Sequence, residues 1–255
     1  MADRPLVLLS NDDGYSAAGI EVLHEVLARS MDVVRVAPET EQSAHSHALT
    51  LSRPLRHRKV SEGVHAVDGT PADCVYVALF QTDLLPRRPD VVVSGMNHGM
   101  NLGTDIFYSG TVAAAREGAL RGIPSIALSM DHGGNRERGS EFAAELVHRL
   151  ALEADRGTNT PLLNVNFPTG DYLGVRVARL GLRSYNDAVV VRKDPRGREY
   201  YWIGGPVDTV HLHMDGSDTE AVDLGMVAIT PLLIEATHEA HFDLARRVIG
   251  DKLSG

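Results

Sequence analysis

Four apolar residues, Leu6-Val7-Leu8-Leu9, run into Ser10-Asn11-Asp12-Asp13-Gly14. Adjacent carboxylates repel each other, and taking them out of water raises their pKa unless a cation offsets the charge. The apolar run reads as a strand buried on both faces, as in a parallel sheet covered by helices. Gly14 permits the tight turn that holds both carboxylates at the strand end. Two oxygen anions at one strand mouth suit a hard divalent cation such as Mg²⁺ or Mn²⁺. An isolated Asp-Asp-Gly is equally compatible with a solvated acidic turn, so the rest of the chain must decide between the two.

Other oxygen donors recur after later strand-like segments. Ser43 lies in the polar loop 39–48 that follows the short strand 32–37. Asn97 lies in the glycine-rich stretch 95–103 that follows Asp90-Val91-Val92-Val93-Ser94. In a parallel sheet with right-handed crossovers these loops share the edge at the carboxyl ends of the strands, where doubly wound sheets bind ligands. Asp12, Asp13, Ser43 and Asn97 then converge as two carboxylates, a hydroxyl and an amide carbonyl, a set that suits Mg²⁺ or Mn²⁺ better than zinc. Beside them, Tyr108-Ser109-Gly110-Thr111 precedes the helical run Val112-Ala113-Ala114-Ala115. Hydroxyls and free N–H groups at a helix N-terminus form an anion site, although Ser109 or Thr111 would serve equally as a plain N-cap. A cation next to a phosphate-sized anion site implies phosphoryl chemistry. On this reading Asp12, Asp13 and Asn97 are catalytic, and Asn11, Ser43, Ser109, Gly110 and Thr111 contact phosphate or substrate. No Walker A motif is present, and the spacing of Gly95, Gly99 and Gly103 is not the dinucleotide fingerprint. His238-Glu239-Ala240-His241 lacks the zinc-protease spacing, and His45, His47 and His98 are the histidines nearest the site.

The elements that would carry these residues follow from periodicity. Helical spacing predicts helices over 18–30, from a Thr70 N-cap and Pro71 to about Phe80, over 111–120 and over 139–152, with strands at 125–129 and 162–167 between them. Extended pieces are expected at 50–58 and 64–67. This is the doubly wound α/β pattern, a Rossmann-like, mostly parallel sheet. After about Gly170 the alternation stops. Residues 175–180 alternate as an exposed strand, and 189–192 and 199–203 flank the turn Asp194-Pro195-Arg196-Gly197 as a β-hairpin. Residues 209–221 read as a loop, 227–233 as a strand and 241–253 as a closing helix. The expected organisation is a catalytic core over 1–170 and a C-terminal extension over 171–255 that completes the fold and mediates oligomerisation.

With 255 residues, 43% apolar and 23% charged, the chain has the composition of a globular protein with a full core. Its net charge of −9 argues against a surface that coats nucleic acid. No apolar run approaches the ~20 residues that span a bilayer, and Met1-Ala2-Asp3-Arg4-Pro5 has no hydrophobic signal region. Cys74, the single cysteine, excludes an intrachain disulfide and a thiolate zinc cluster. A cytoplasmic protein without membrane or nucleic-acid partners is expected.

The stretches LLSNDDGYSAAGI, APETEQSAHSHALTLSRPL, VDGTPADCV, PDVVVSGMNHGMNLGTDIFYSGTVAAAREG and GIPSIALS resemble, in order and spacing, the SurE (survival protein E) 5'/3'-nucleotidase family. DPRGREYYWIGG and VAITPL echo it more faintly. The resemblance implies a phosphomonoesterase that hydrolyses nucleoside 5'- and 3'-monophosphates with one divalent ion, Mg²⁺ or Mn²⁺, per subunit. It implies a Rossmann-like core with a C-terminal extension that builds a homodimer or homotetramer. The family's metal ligands fall on Asp12, Asp13, Ser43 and Asn97. The chain departs from the family at Ala44, where many members have glycine, which stiffens that loop, and at His47, where some have asparagine. Two other readings compete. A haloacid-dehalogenase-type phosphatase forms an aspartyl-phosphate but carries Asp-x-Asp after its first strand, where this chain has Asn-Asp-Asp. A signalling receiver module needs an acceptor aspartate at the end of its third strand, where this chain has Ser94-Gly95.

Overall fold

The computed structural model describes residues 4–154, 160–184, 189–203 and 210–250. The first strand, β1 (Leu6–Ser10), is buried throughout and lies between β2 (Asp32–Pro38) and β5 (Val91–His98), parallel to both. The chain leaves β1 through α1 (Ala18–Leu27) to β2. It then forms β3 (His57–Ser61), β4 (Val64–Val67) and α2 (Pro71–Phe80) before returning to β5 on the other side of β1. The strand order therefore reverses between β1 and β5, and a doubly wound sheet opens its ligand crevice at such a switch point. A short 3₁₀ turn (Gly103–Phe107), α3 (Gly110–Leu120), β6 (Ser125–Met130), α4 (Arg136–Glu153) and β7 (Leu162–Phe167) extend the parallel sheet.

Side-chain alternation explains why β1 is apolar at every position. Val7 and Leu9 face the layer of α1 and α4, whereas Leu6 and Leu8 face that of α2 and α3. Thr70 caps α2 in a reciprocal capping box with Asp73, and Cys74 is buried and free in that layer.

Beyond residue 170 the chain adds β8 (Gly174–Val177), β9 (Leu182–Ser184), β10 (Val189–Lys193), β11 (Glu199–Ile203), β12 (Val210–Leu212), α5 (Asp218–Asp223), β13 (Met226–Pro231) and α6 (Phe242–Ile249). β13 runs antiparallel to β7 and parallel to β8, so the sheet has nine strands in the order β3-β4-β2-β1-β5-β6-β7-β13-β8. The expected hairpin is β10–β11, antiparallel and exposed along both strands.

Three expectations are corrected. The strand expected to open into a loop at Gly95 continues to His98, because Asn97 and His98 resume pairing with Ser129 and Met130 after a bulge at Gly95-Met96. The extended piece expected at 50–58 forms a strand only from His57, where β4 is alongside to accept it. Residues 209–221, read as a loop, contain β12 and the start of α5, which Ser217 caps by accepting from Glu220 N. The closing helix ends at Ile249, and the expected residues 251–253 lie outside the described residues.

Candidate active site

The acidic pair sits where β1 ends. Asp12 is 4% exposed and Asp13 half-buried. Asn11, fully buried, donates its Nδ2 to Gly14 O at 2.9 Å and closes the turn, while Gly14 adopts φ +104°. The Nδ2 group of Asn11 thus holds the turn. Its Oδ1 is buried without a partner among the described residues.

Asp12 is wedged against the start of α3. Thr111 donates its hydroxyl to Asp12 Oδ1, and a Cβ at Gly110 would lie 2.8 Å from Asp12 Cβ and 3.0 Å from Oδ2. Only glycine lets the first turn of α3 approach this carboxylate so closely. Ser109 accepts from Val112 N at 3.1 Å and is the N-cap. Thr111 thus spends its proton on Asp12, whereas Ser109 accepts at the cap and keeps its hydroxyl proton to donate, and the positive end of α3 lies next to Asp12. Burial pushes the Asp12 carboxyl up to about 6, the Thr111 hydrogen bond works against that rise, and the neighbouring charge of Asp13 adds to it. Burial also raises Asp13, opposed by the hydrogen bond from His98 N to its Oδ2 at 3.2 Å.

The other two expected ligands arrive on neighbouring segments. Asn97 emerges from the bulged end of β5; its Nδ2 donates to Gly99 O at 2.8 Å, which leaves Oδ1 as the acceptor available to a ligand. The loop of Ser43 is tied to the site by Gln42 N, which donates to Asp12 O at 2.7 Å. Ser43 itself is exposed, and its hydroxyl donates to Glu41 Oε1 at 2.8 Å. Asp12, Asp13, Asn97 and the Ser43 loop are thus brought to one strand edge, while the Ser43 hydroxyl is turned to Glu41.

These residues fit a hard divalent cation. The donors are all oxygens, Asp12 and Asp13 form no ion pair with any described residue, and the orphaned Asn11 Oδ1 is buried at the same strand end.

Several contributors escaped sequence reasoning. His132 pairs with His98 (Nδ1 to Nε2, 2.8 Å) beside Asp13; of the histidines expected near the site, His98 is there, whereas His47 turns to Glu117 at 2.9 Å. The loop after β5 is pinned from below. Asn101 N donates to Asn166 Oδ1 at 2.7 Å, Asn101 Nδ2 donates to Ser129 Oγ, and Asn101 O accepts from Asn164 and Asn166. Asp218, fully buried, accepts from Gly103 N at 2.9 Å and Gly181 N at 2.7 Å, which fixes the 3₁₀ turn leading to Ser109. Ser217-x-x-Glu220 is a capping signature that would have revealed α5 and drawn attention to Asp218.

Fold and site together define a class: a doubly wound α/β protein with an acidic, all-oxygen site at the switch point of its sheet, beside a helix N-terminus. A family model described as "Survival protein SurE" matches residues 7–187. Proteins named 5'-nucleotidase SurE are 56% identical over 246 residues in Sorangium cellulosum (95% of each chain) and 49% identical over 244 residues in Anaeromyxobacter dehalogenans strain 2CP-1 (94% of each). The crystal structure of a SurE protein from Aquifex aeolicus superposes with a TM-score of 0.81 at 37% identity, covering 96% of this chain and 99% of that one. The chain belongs to the SurE family.

Proposed function

We propose that this chain is a divalent-metal-dependent nucleotidase that hydrolyses nucleoside 5'-monophosphates, and 3'-monophosphates, to nucleoside and phosphate. The observation that carries the reading is the acidic pair, buried Asp12 and half-buried Asp13, set against the N-terminus of α3 with no paired cation among the described residues. The relatives named 5'-nucleotidase SurE support the substrate class.

Asp12, Asp13, Asn97 and, after its hydroxyl leaves Glu41, Ser43 would hold one Mg²⁺ or Mn²⁺. When bound, the ion supplies Lewis acidity toward a phosphate oxygen and toward the attacking water. Asp13, the more accessible carboxylate, takes the proton of that water as its oxygen attacks phosphorus. The bond from phosphorus to the nucleoside oxygen breaks, and the leaving oxygen takes up a proton. The positive end of α3 favours the charge that builds on the phosphoryl oxygens. Asp218 and Asn101 hold the two loops that frame this space.

Under the same reading the enzyme works in the cytoplasm as a homodimer or homotetramer. The exposed Val189-Val190-Val191 and Tyr200-Tyr201-Trp202-Ile203 of the hairpin, and Phe242, Leu244, Val248 and Ile249 of α6, support assembly. No helix among the described residues is long and apolar enough to cross a membrane.

A panel of nucleoside 5'- and 3'-monophosphates, assayed with Mg²⁺, with Mn²⁺ and after exhaustive chelation, tests the reading. Hydrolysis that needs the ion and stops with chelator is expected. Full activity after chelation and dialysis, or no hydrolysis with any ion, would overturn it.

A further inference from the structure

A groove of about 680 Å³ lies between α3 and the segment that leaves β13, and none of Asp12, Asp13, Ser43 and Asn97 lines it. Its size is that of a small-molecule pocket, which typically holds ~300–1,000 Å³. Ile106, Leu180 and Leu232 form apolar walls. Two guanidinium groups line it as well: Arg116, half-buried on α3, and Arg179, just beyond β8.

Neither guanidinium forms a hydrogen bond or ion pair with any described residue. Elsewhere in the fold, several partly buried arginines are matched, Arg183 with Asp105, Arg176 with Glu220 and Arg121 with Glu117, although Arg35 has buried guanidinium nitrogens with no partner among the described residues. Burial with nothing to oppose it pushes the Arg116 guanidinium down from its ordinary value. The carboxylate lining the groove, Glu235, accepts from Thr237 N at 2.8 Å and pairs with neither arginine. Arg179 is exposed and Arg116 half-buried, and a half-buried guanidinium without a protein partner is costly to desolvate further unless an anion accompanies it. In a chain of net charge −9, a groove with two unpaired arginines is a local reversal of sign.

We propose that this groove is a second ligand site that binds a small organic anion, a carboxylate or phosphate head carried on an apolar body. Arg116 and Arg179 hold the head, and Ile106, Leu180 and Leu232 surround the body. The site is independent of the nucleotidase reading, since it shares no residue with the acidic pair.

Calorimetric titration of the full chain with octanoate and with phenylphosphonate, which is not a phosphate ester, tests this. Acetate and inorganic phosphate serve as heads without bodies. Wild type and Asp13→Asn should bind octanoate or phenylphosphonate equally, and the stronger of the two identifies the head. Acetate and inorganic phosphate should bind at least tenfold more weakly. Arg116→Met should weaken binding about tenfold or more, with unchanged hydrolysis of nucleotide and unchanged oligomeric state. Arg179→Met, at an exposed position, should weaken binding severalfold and serves if Arg116→Met fails to fold. No binding of either probe, binding lost in Asp13→Asn, or equal binding in both groove variants would overturn the proposal. So would an Arg116→Met protein that changes its oligomeric state while the wild type binds neither probe, because the groove would then be a subunit contact.

Discussion

Gly110→Ala probes the closest approach in the site. The added Cβ would lie 2.8 Å from Asp12 Cβ, 3.0 Å from Asp12 Oδ2 and 3.1 Å from Pro71 Cγ. Carbon atoms rest at ~3.5–4.0 Å, so Asp12, Pro71 or the start of α3 must give way by roughly half an ångström or more. Overpacking of this kind costs about 1–3 kcal/mol. Alanine recovers up to about 1 kcal/mol through helix propensity, which leaves a net loss on the order of 1–2 kcal/mol. At ~2–4 °C per kcal/mol for a chain of this size, the melting temperature should fall by roughly 2–8 °C. Activity should suffer far more, because a displacement approaching 1 Å in a reacting constellation costs about a hundredfold in rate. Scanning calorimetry of the metal-free protein and initial rates on a nucleoside monophosphate read the two effects separately. A variant that melts and turns over like the wild type would show that α3 does not press on Asp12, and the argument for a site built around that contact would fail.

Three further outcomes follow from the same geometry. Asp13→Asn relieves like-charge repulsion and should melt at or above the wild type in chelator, yet lose most of the metal-induced rise, which at one hundred times Kd is about 2.7 kcal/mol for the wild type; an unchanged rise would remove Asp13 from the ligand set. Although burial opposes it, hydrogen bonds from His47 and Arg121 carry the Glu117 carboxyl below its ordinary value of 4.5. The stability this contributes is therefore complete above pH 4.5 and fades as pH falls through the folded value. In urea melts the advantage of wild type over Glu117→Gln should shrink on acidification, and an advantage that grows would contradict the sign. Ala44 adopts φ +58°, a region costing a non-glycine residue about 1–2 kcal/mol; Ala44→Gly should therefore melt at or slightly above the wild type, and a clear drop would mean that the loop needs the stiffness.

Much of this arrangement was legible in the sequence because periodicity and strand-end chemistry are local. Leu6–Leu9 announced a doubly covered strand, Thr70-Pro71 a capped helix and Asp194–Gly197 a hairpin turn, and all three formed. Parallel topology alone brought Asp12, Asp13 and Asn97 to one edge. What stayed hidden depends on contacts between distant segments. The end of β5 is extended because Ser129 and Met130 are there to pair with it, which no reading of a glycine-rich run discloses. That Ser109 could cap α3 was legible, but the bond from Thr111 to Asp12 joins residues 99 apart in sequence. Asp218 lies more than a hundred residues from Gly103, and only the folded chain joins them. Nor does the sequence disclose that Ala44 adopts a left-handed backbone.

The central claim is that Asp12 and Asp13 hold the one cation on which nucleotide hydrolysis depends. It is tested most directly by titrating metal-stripped protein with Mn²⁺ while following ion binding by electron paramagnetic resonance and phosphate release from a nucleoside monophosphate in the same samples. The account predicts one ion per chain, binding and rate saturating together, and loss of both in Asp13→Asn. Phosphate release that proceeds at full rate before any ion is bound, or that saturates while Asp13→Asn still binds Mn²⁺ as the wild type does, would contradict it.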